Sequence, residues 1–350
     1  MTAVKVPFLM AAADEEERGK MMNDRICALD LGSNSLRLLV AEADGRRIIP
    51  LRRELRETRL GQGLQPGGLL HPRARERTLQ ALDELAAIAA SEQAVRGLLV
   101  ATSAVREAAD GGAFLEEAAR RYPFPARVLT PREEALLGYQ GARGALQLQH
   151  ALVVDLGGRS TEISWRGKQA GERNGEGTEE NGEEFFFCSL PLGAVRGSEA
   201  FWVGPGPGRL HKARLTRHVH HLLAKERTGG AGFSSGFPGD ALELVGLGGT
   251  VTTLAALDLG LRVYLPERVH GHRLTRAAVA RWLQQLENLT LEETQALLPF
   301  APRRADIFPA GVATWLAVMD FFCRERCTVS EEGLLWGVLE QLAGRTPFPE

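Results

Sequence analysis

Two segments of the chain carry the same reactive groups in the same order. Ile26-Cys27-Ala28-Leu29 runs as an apolar strand into Asp30-Leu31-Gly32-Ser33-Asn34-Ser35, and Ala151-Leu152-Val153-Val154 runs into Asp155-Leu156-Gly157-Gly158-Arg159-Ser160, then Thr161 and Glu162. Asp30 and Asp155 stand 125 positions apart, and so do Ser35 and Ser160. A strand that ends on Asp-Leu-Gly presents a carboxylate at a sharp turn, where glycine lets backbone N–H groups approach an anion closely. The neighbouring hydroxyls add donors. A carboxylate repels a bare phosphate, so the pair needs a hard cation between them, and Mg²⁺ is the ion that bridges carboxylates, water and phosphate oxygens. A third turn, Gly246-Leu247-Gly248-Gly249-Thr250, opens a helix with Thr250 in position to cap, and helix N-termini are ready anion sites.

The matched register implies two copies of one β-hairpin, each opening a related domain. In the first copy, residues 47–60 continue as strand, and His71 to Ala90 has helical periodicity. Gly97 to Ala101 and Ala126 to Thr130 read as strands, with Ala113 to Tyr122 and Pro131 to Leu146 as helices. Strands alternating with helices argue for an α/β class. Residues 24–148 form the first expected domain and 149–345 the second, after a flexible tail over 1–23. Stretches near 167–184 and 228–239 are too rich in glycine and polar residues to order themselves. After Thr275 the pattern turns mainly helical, and the last helix, Glu331 to Ala343, could pack back on the first domain.

Hydrophobic residues make up 44% of the 350 and charged residues 25%, which is ordinary globular composition. The net charge of −2 gives no reason to expect nucleic acid or an anionic membrane as partner. No stretch reaches the ~18–20 apolar residues that span a bilayer. The apolar patch Val6 to Ala13 is followed by acids rather than a cleavage site, so a cytoplasmic protein is expected. Cys323 and Cys327 lie four apart in what reads as a helix end, without a second ligand pair for zinc, and Cys27 belongs to a core strand.

Taken together, the turns resemble the actin, sugar-kinase and Hsp70 ATPase-like superfamily. More narrowly, the chain resembles the exopolyphosphatase / guanosine pentaphosphate phosphohydrolase family from about Ile26 to Leu342. The two Asp-Leu-Gly turns and Ala101-Thr102-Ser103-Ala104-Val105-Arg106 carry the likeness, with Arg132-Glu133-Glu134-Ala135, Ser189-Leu190-Pro191-Leu192-Gly193, Val269-His270-Gly271 and Arg304-Ala305-Asp306. The resemblance implies two related actin/Hsp70-like (ribonuclease H-like) domains facing across a cleft. It also implies Mg²⁺-dependent release of terminal phosphate from inorganic polyphosphate or guanosine pentaphosphate.

Carried over residue by residue, it makes Glu134 the general base, preferred over Glu133, and Arg106 the guanidinium that offsets transition-state charge. Asp30, Asp155 and Glu162 would hold the metal. Ser33, Asn34, Ser35, Gly157, Gly158, Arg159, Ser160, Thr161, Gly248, Gly249 and Thr250 would line the phosphate path. The histidines at 270 and 272 receive no metal role, and a homodimer is expected from the resemblance alone. Four departures stand out. Arg159 replaces a third glycine, Thr130-Pro131 replaces Ser-Gly, Leu136 replaces arginine, and Leu334-Leu335-Trp336-Gly337 replaces Leu-Arg-Glu-Gly. They leave two other readings open: a weakened member that binds phosphate chains or alarmone nucleotides as a regulator, and a kinase or ATPase of the same superfamily.

Overall fold

The structure, a computed structural model, describes residues 24–44, 47–167, 184–202, 208–229, 239 and 242–346. The expected tail over 1–23 lies outside the described residues, as do residues 168–183 and 230–238 of the two expected insertions.

Two mixed sheets organise the chain. The first holds β1 (Asp24–Leu31), β2 (Ser35–Ala43), β3 (Ile48–Glu57), β4 (Arg96–Ala101) and β5 (Ala126–Val128). Helices α1 (Pro72–Ser91), α2 (Ser103–Glu107) and α3 (Gly111–Ala119) interrupt it, and α4 (Pro131–Leu146) follows. The second holds β6 (Ala151–Leu156), β7 (Thr161–Gly167), β8 (Glu184–Leu190), β9 (Glu243–Leu247), β10 (Arg273–Thr275) and β11 (Arg326–Val329). Its helices are α5 (Ala194–Phe201), α6 (Gly208–Gly229), α7 (Gly249–Asp258), α8 (Pro266–Val269), α9 (Arg276–Leu286), α10 (Leu291–Leu297) and α11 (Phe308–Phe321), closed by α12 (Leu334–Leu342). The sheet orders are β3-β2-β1-β4-β5 and β10-β11-β9-β6-β7-β8. In each, an antiparallel hairpin feeds a parallel run, β1–β4–β5 or β6–β9–β11.

Side-chain alternation decides which face each residue meets. Cys27, Leu29 and Leu31 bury with Leu82, Leu85 and Phe114 on the outer face of the first sheet. Ile26 and Ala28 point the other way, onto Leu334, Val338 and Leu339 of α12. In the second sheet Leu152, Val154 and Leu156 join the large outer core around Trp315. Ala151 and Val153 instead meet Ala135, Tyr139 and Ala142 of α4. The closing helices are therefore exchanged: α4, which follows the first sheet, covers the second, and α12 covers the first. The same alternation sends Asp30 and Asp155 to these inner faces.

The exchanged helices cross with backbone against backbone. A β-carbon on Gly141 would stand 2.1 Å from the Gly333 carbonyl oxygen, and one on Gly337 would stand 2.2 Å from that of Leu137. No side chain fits at either position.

The chain after Thr275 is mainly helical, as expected, but the reading of Cys323 and Cys327 as one helix end fails at a short strand. β11 inserts between β9 and β10, and Cys327 is buried within it, whereas Cys323 is exposed just past α11. The two thiols share no helix face. Four residues are too few to display a period of two, and only the neighbouring strands reveal the assignment. No helix among the described residues is long and apolar enough to cross a membrane.

The crossing yields a prediction. Gly337→Ala forces the helices apart and lowers unfolding free energy by about 3 kcal/mol or more, the range of severe overpacking. A urea titration followed by far-ultraviolet circular dichroism checks it.

Candidate active site

Both Asp-Leu-Gly turns open into one cleft of about 540 Å³ lined from the two sheets. Each hairpin closes identically: the Gly32 N–H donates to Ser35 O and the Gly157 N–H to Ser160 O, both at 3.0 Å. The turn carbonyls are tied away by neighbouring chain. Ser33 O accepts from the Gly61 N–H (2.8 Å), and Asn34 O accepts from the Thr58 and Arg59 N–H groups (3.1 and 2.9 Å). Gly157 O and Gly158 O accept from the Ala194 and Val195 N–H groups at the start of α5 (2.9 and 2.8 Å). The N–H groups of Ser33, Asn34, Gly158 and Arg159 find no backbone acceptor among the described residues. Such donors require water or an anion. This is the physical content of the phosphate-turn motif.

The third turn adds a helix N-terminus. Gly248 is the N-cap of α7 at φ 92°, with no side-chain cap, so Thr250 does not play the capping role expected of it. Thr250 lies inside the first turn of the helix and lines the cleft. The Arg304 guanidinium occupies the space where a Gly249 β-carbon would sit, 1.9 Å from Nη1. Its nearest carboxylate, Glu57, stays at 3.6 Å, too long for a hydrogen bond. Burial lowers the affinity of this guanidinium for its proton, so an anion beside it would be stabilising.

Helix α4 delivers Glu134. Thr130 caps the helix and Pro131 fills its first turn. Glu133 completes a capping box, accepting the Thr130 N–H at 2.6 Å and also Arg127 Nη2 at 2.7 Å. That occupation of Glu133 leaves Glu134, one position on, to face the cleft. Its Oε2 accepts from Arg106 Nη1 at 3.0 Å, and the same Nη1 donates to Leu129 O at 2.7 Å.

The two hairpins differ at one decisive pair. Asp30 lies across from Arg37, and Asp155 lies across from Glu162. Arg37 Nε donates to Asp30 Oδ2 at 2.9 Å and neutralises the first turn. The second turn instead sets two carboxylates on directly opposed strand positions, where β-carbons stand about 4.5–5.5 Å apart. Burial, reinforced by Asp155, pushes Glu162 up to about 7 despite hydrogen bonds from Ser160 and Ser189. Burial pushes Asp155 up to about 6 against the pull of Arg37. Burial and then Glu162 hold Glu134 well above the ordinary carboxylate range, while Arg106 pulls it back.

Of the expected residues, Asp30, Ser33, Asn34, Ser35, Glu134, Asp155, Gly157, Gly158, Ser160, Glu162, Gly248, Gly249 and Thr250 line this one cleft. Three do not. Arg159 is 1% exposed and turns away, onto Glu107 Oε2 (3.0 Å) and Gly61 O (2.9 Å). Thr161 donates to Leu192 O at 2.6 Å and is spent inside the fold. Arg106 lies outside the lining and reaches the site by its hydrogen bond to Glu134. His270 Nδ1 accepts the Glu331 N–H and His272 Nε2 meets Asp258 Oδ2, so the two rings serve separate elements.

Sequence reasoning missed Arg37, Glu57, Tyr264 and Glu331 and gave Arg304 no role beyond its place in a motif, although all five line the cleft. The spacing of 125 that relates the turns also relates Arg37 to Glu162, a signal that could have found it. A more open groove of about 1080 Å³ between α6 and α9 contains a single carboxylate, Glu287, already paired with Lys212 at 3.0 Å.

The family model described as the Ppx/GppA phosphatase family matches residues 39–346. Exopolyphosphatase 2 of Mycobacterium tuberculosis is 33% identical over 343 residues, covering 91% of this chain and 99% of that protein. The crystal structure of the Aquifex aeolicus Ppx/GppA family member superposes with a TM-score of 0.73 at 29% identity, over 93% of this chain and 100% of that one. An exopolyphosphatase from Cytophaga hutchinsonii, 22% identical, shares the fold with a TM-score of 0.77 over 93% and 100% of the two chains.

The crowding of carboxylates is measurable without substrate. Glu162 is raised from 4.5 to about 7, so the folded protein keeps a proton that the unfolded chain has released. Its stabilising contribution is complete below pH ~4.5 and is lost as pH rises through about 7. In chelator at pH 8, Glu162→Gln is therefore more stable than the parent by about 1–3 kcal/mol, and the gain vanishes near pH 4. Denaturant midpoints of both proteins across that range provide the check.

Proposed function

Because the chain belongs to the Ppx/GppA phosphatase family, we propose that it hydrolyses the terminal phosphate of inorganic polyphosphate, of guanosine pentaphosphate, or of both, with Glu134 as general base. The observation that carries this reading is the state of Glu134. Its carboxylate is released from helix capping by Glu133, oriented by Arg106, and faces a cleft whose turns carry N–H groups without backbone acceptors. A terminal phosphoryl group seated on those donors would be approached by a water that gives its proton to Glu134. The new bond forms from water oxygen to phosphorus, and the P–O bond to the chain breaks with its electron pair leaving on the chain. Arg37 and Arg304 offer cationic neighbours for the phosphate oxygens.

Six carboxylates, Asp30, Glu57, Glu134, Asp155, Glu162 and Glu331, line the cleft against four guanidiniums, those of Arg37, Arg56, Arg303 and Arg304. An anionic substrate needs added positive charge here. Among the described residues no three His, Cys, Asp or Glu side chains form a ready metal cage. The donors nevertheless suit Mg²⁺, which keeps several waters and takes only one or two carboxylates plus substrate oxygens. Asp30 has a buried Oδ1 without a hydrogen-bond partner, and Asp155 and Glu162 repel each other. These three would hold the ion, whose charge would offset that of a phosphate chain. The four cysteines are free thiols, three of them buried, which suits the reducing cytoplasm.

Arg159 and Leu136 had favoured a weakened, regulatory member. Arg159 leaves the cleft unobstructed, and Leu136 packs beside the apolar cluster of α4. Neither side chain blocks the cleft, which supports turnover over a purely regulatory role.

The test is phosphate release from each substrate with and without Mg²⁺. Glu134→Gln should lose about 10²–10⁴-fold in kcat, the range for a general base. No release by the parent protein from either substrate, with tight binding retained, would overturn the proposal. The pH profile gives a second expectation. Removing Arg106 removes a pull that lowers Glu134. In Arg106→Met the acidic limb of kcat/KM therefore moves to higher pH, and rate measurements from pH 5 to 9 report the shift.

A further inference from the structure

We infer that Arg159, which stands where the family pattern has glycine, is a positioning residue that clasps the two phosphate-facing turns and holds the cleft closed before a phosphate chain arrives. The inference rests on the cleft being the phosphate site.

Arg159 belongs to the second turn, yet every hydrogen bond of its side chain crosses to the first domain. Nε and Nη2 donate to Glu107 Oε2 at 3.3 and 3.0 Å, and Nη1 donates to Gly61 O at 2.9 Å. Gly61 in turn donates its N–H to Ser33 O of the first turn at 2.8 Å. One residue of the first domain thus joins the two turns, and it has no room to spare: a β-carbon on Gly61 would stand 2.6 Å from Arg159 Cδ. The turns also touch directly. A β-carbon on Gly158 would lie 3.4 Å from that of Ser33 and 3.5 Å from that of Asn34.

Glu107 is gripped twice, because Arg196 Nη2 at the start of α5 meets the same Oε2 at 2.5 Å. It directly follows Arg106, which orients Glu134. The clasp therefore reaches the second turn, the first turn and the mount of the proposed base together.

Opening this wall of the cleft would strip a guanidinium that is 1% exposed of every acceptor it has. Opening would exchange these three hydrogen bonds, two of them charge-assisted on Glu107, for water, and each such bond favours the closed arrangement. With glycine at 159 that restraint is gone, and part of the population opens. Apparent affinity then falls by the fraction that remains competent, while a saturated site still closes on its ligand. KM should move and kcat should not. A residue that merely stabilises the fold would change neither.

The experiment compares the parent protein with Arg159→Gly, Arg159→Lys and Glu107→Gln. Binding of inorganic tripolyphosphate is measured by calorimetry with Mg²⁺, alongside its hydrolysis. Electron-resonance distances are taken between spin labels at the exposed positions Val95 and Val263, in a Cys323→Ser background. The parent should give one narrow distance distribution, with or without tripolyphosphate. Arg159→Gly should broaden it, and ligand should narrow it again. Its Kd and KM should rise at least about tenfold with kcat within about threefold. Arg159→Lys, which keeps the charge but not the fork, should recover part of the affinity. Glu107→Gln should loosen the distribution in the same direction, and it serves if Arg159→Gly fails to fold.

An Arg159→Gly protein with parental Kd, KM and distances overturns the inference, whatever its melting temperature. If the parent neither binds nor cleaves tripolyphosphate, the proposed function fails separately. The clasp then stands or falls on whether the distance distribution broadens in Arg159→Gly.

Discussion

The whole arrangement depends on one close approach, the crossing of α4 and α12 at Gly141 and Gly337. Each sheet has an inner face that its own helices do not cover, and each is completed by the helix that follows the other sheet. Because the helices exchange places, neither domain can bury its inner face alone. Because they touch through backbone, the inner faces are brought near enough for Asp30 and Asp155 to share a cleft. The start of α4 is thereby held between the sheets, which is why a carboxylate in its first turn can reach residues of both.

The two halves share a hairpin but not its electrostatics. At equivalent positions the first has Arg37 and the second Glu162, so one aspartate is neutralised and the other confronted. Sequestered from water, Asp155 and Glu162 are both raised, and Glu162 contributes in turn to raising Glu134. Carboxyl groups crowd the second-domain wall while Arg37 and Arg304 stand beside the other turns. Such polarity suits a site that takes up a cation and a phosphate chain together. It is costly when both are absent.

The turns are held by what surrounds them. Residues 58–61 pull the carbonyls of the first turn outward, and the first residues of α5 do the same for the second. What remain at the turns are N–H groups without backbone acceptors. Arg159 then joins one turn to the other, so a substitution that could have blocked the site braces it from behind.

The sequence by itself determined the strands that open each sheet, the matched Asp-Leu-Gly turns and the α/β class, because a buried strand that ends in a tight turn is encoded by adjacent residues. It also singled out Glu134, although only a resemblance distinguished it from Glu133. The tertiary structure decided the direction of each long side chain. Arg159 turns out of the cleft, Arg106 works through Glu134, and Thr161 is consumed by Leu192 O, each drawn to a partner at least 28 positions away in the chain. Arg304 enters the site because it packs on Gly249, 55 positions before it. Strand β11 exists only because β9 and β10 flank it. Local pattern specifies backbone, whose hydrogen bonds close over a few residues. The destination of a guanidinium is set by which distant carbonyls and carboxylates the packed sheets bring within its reach.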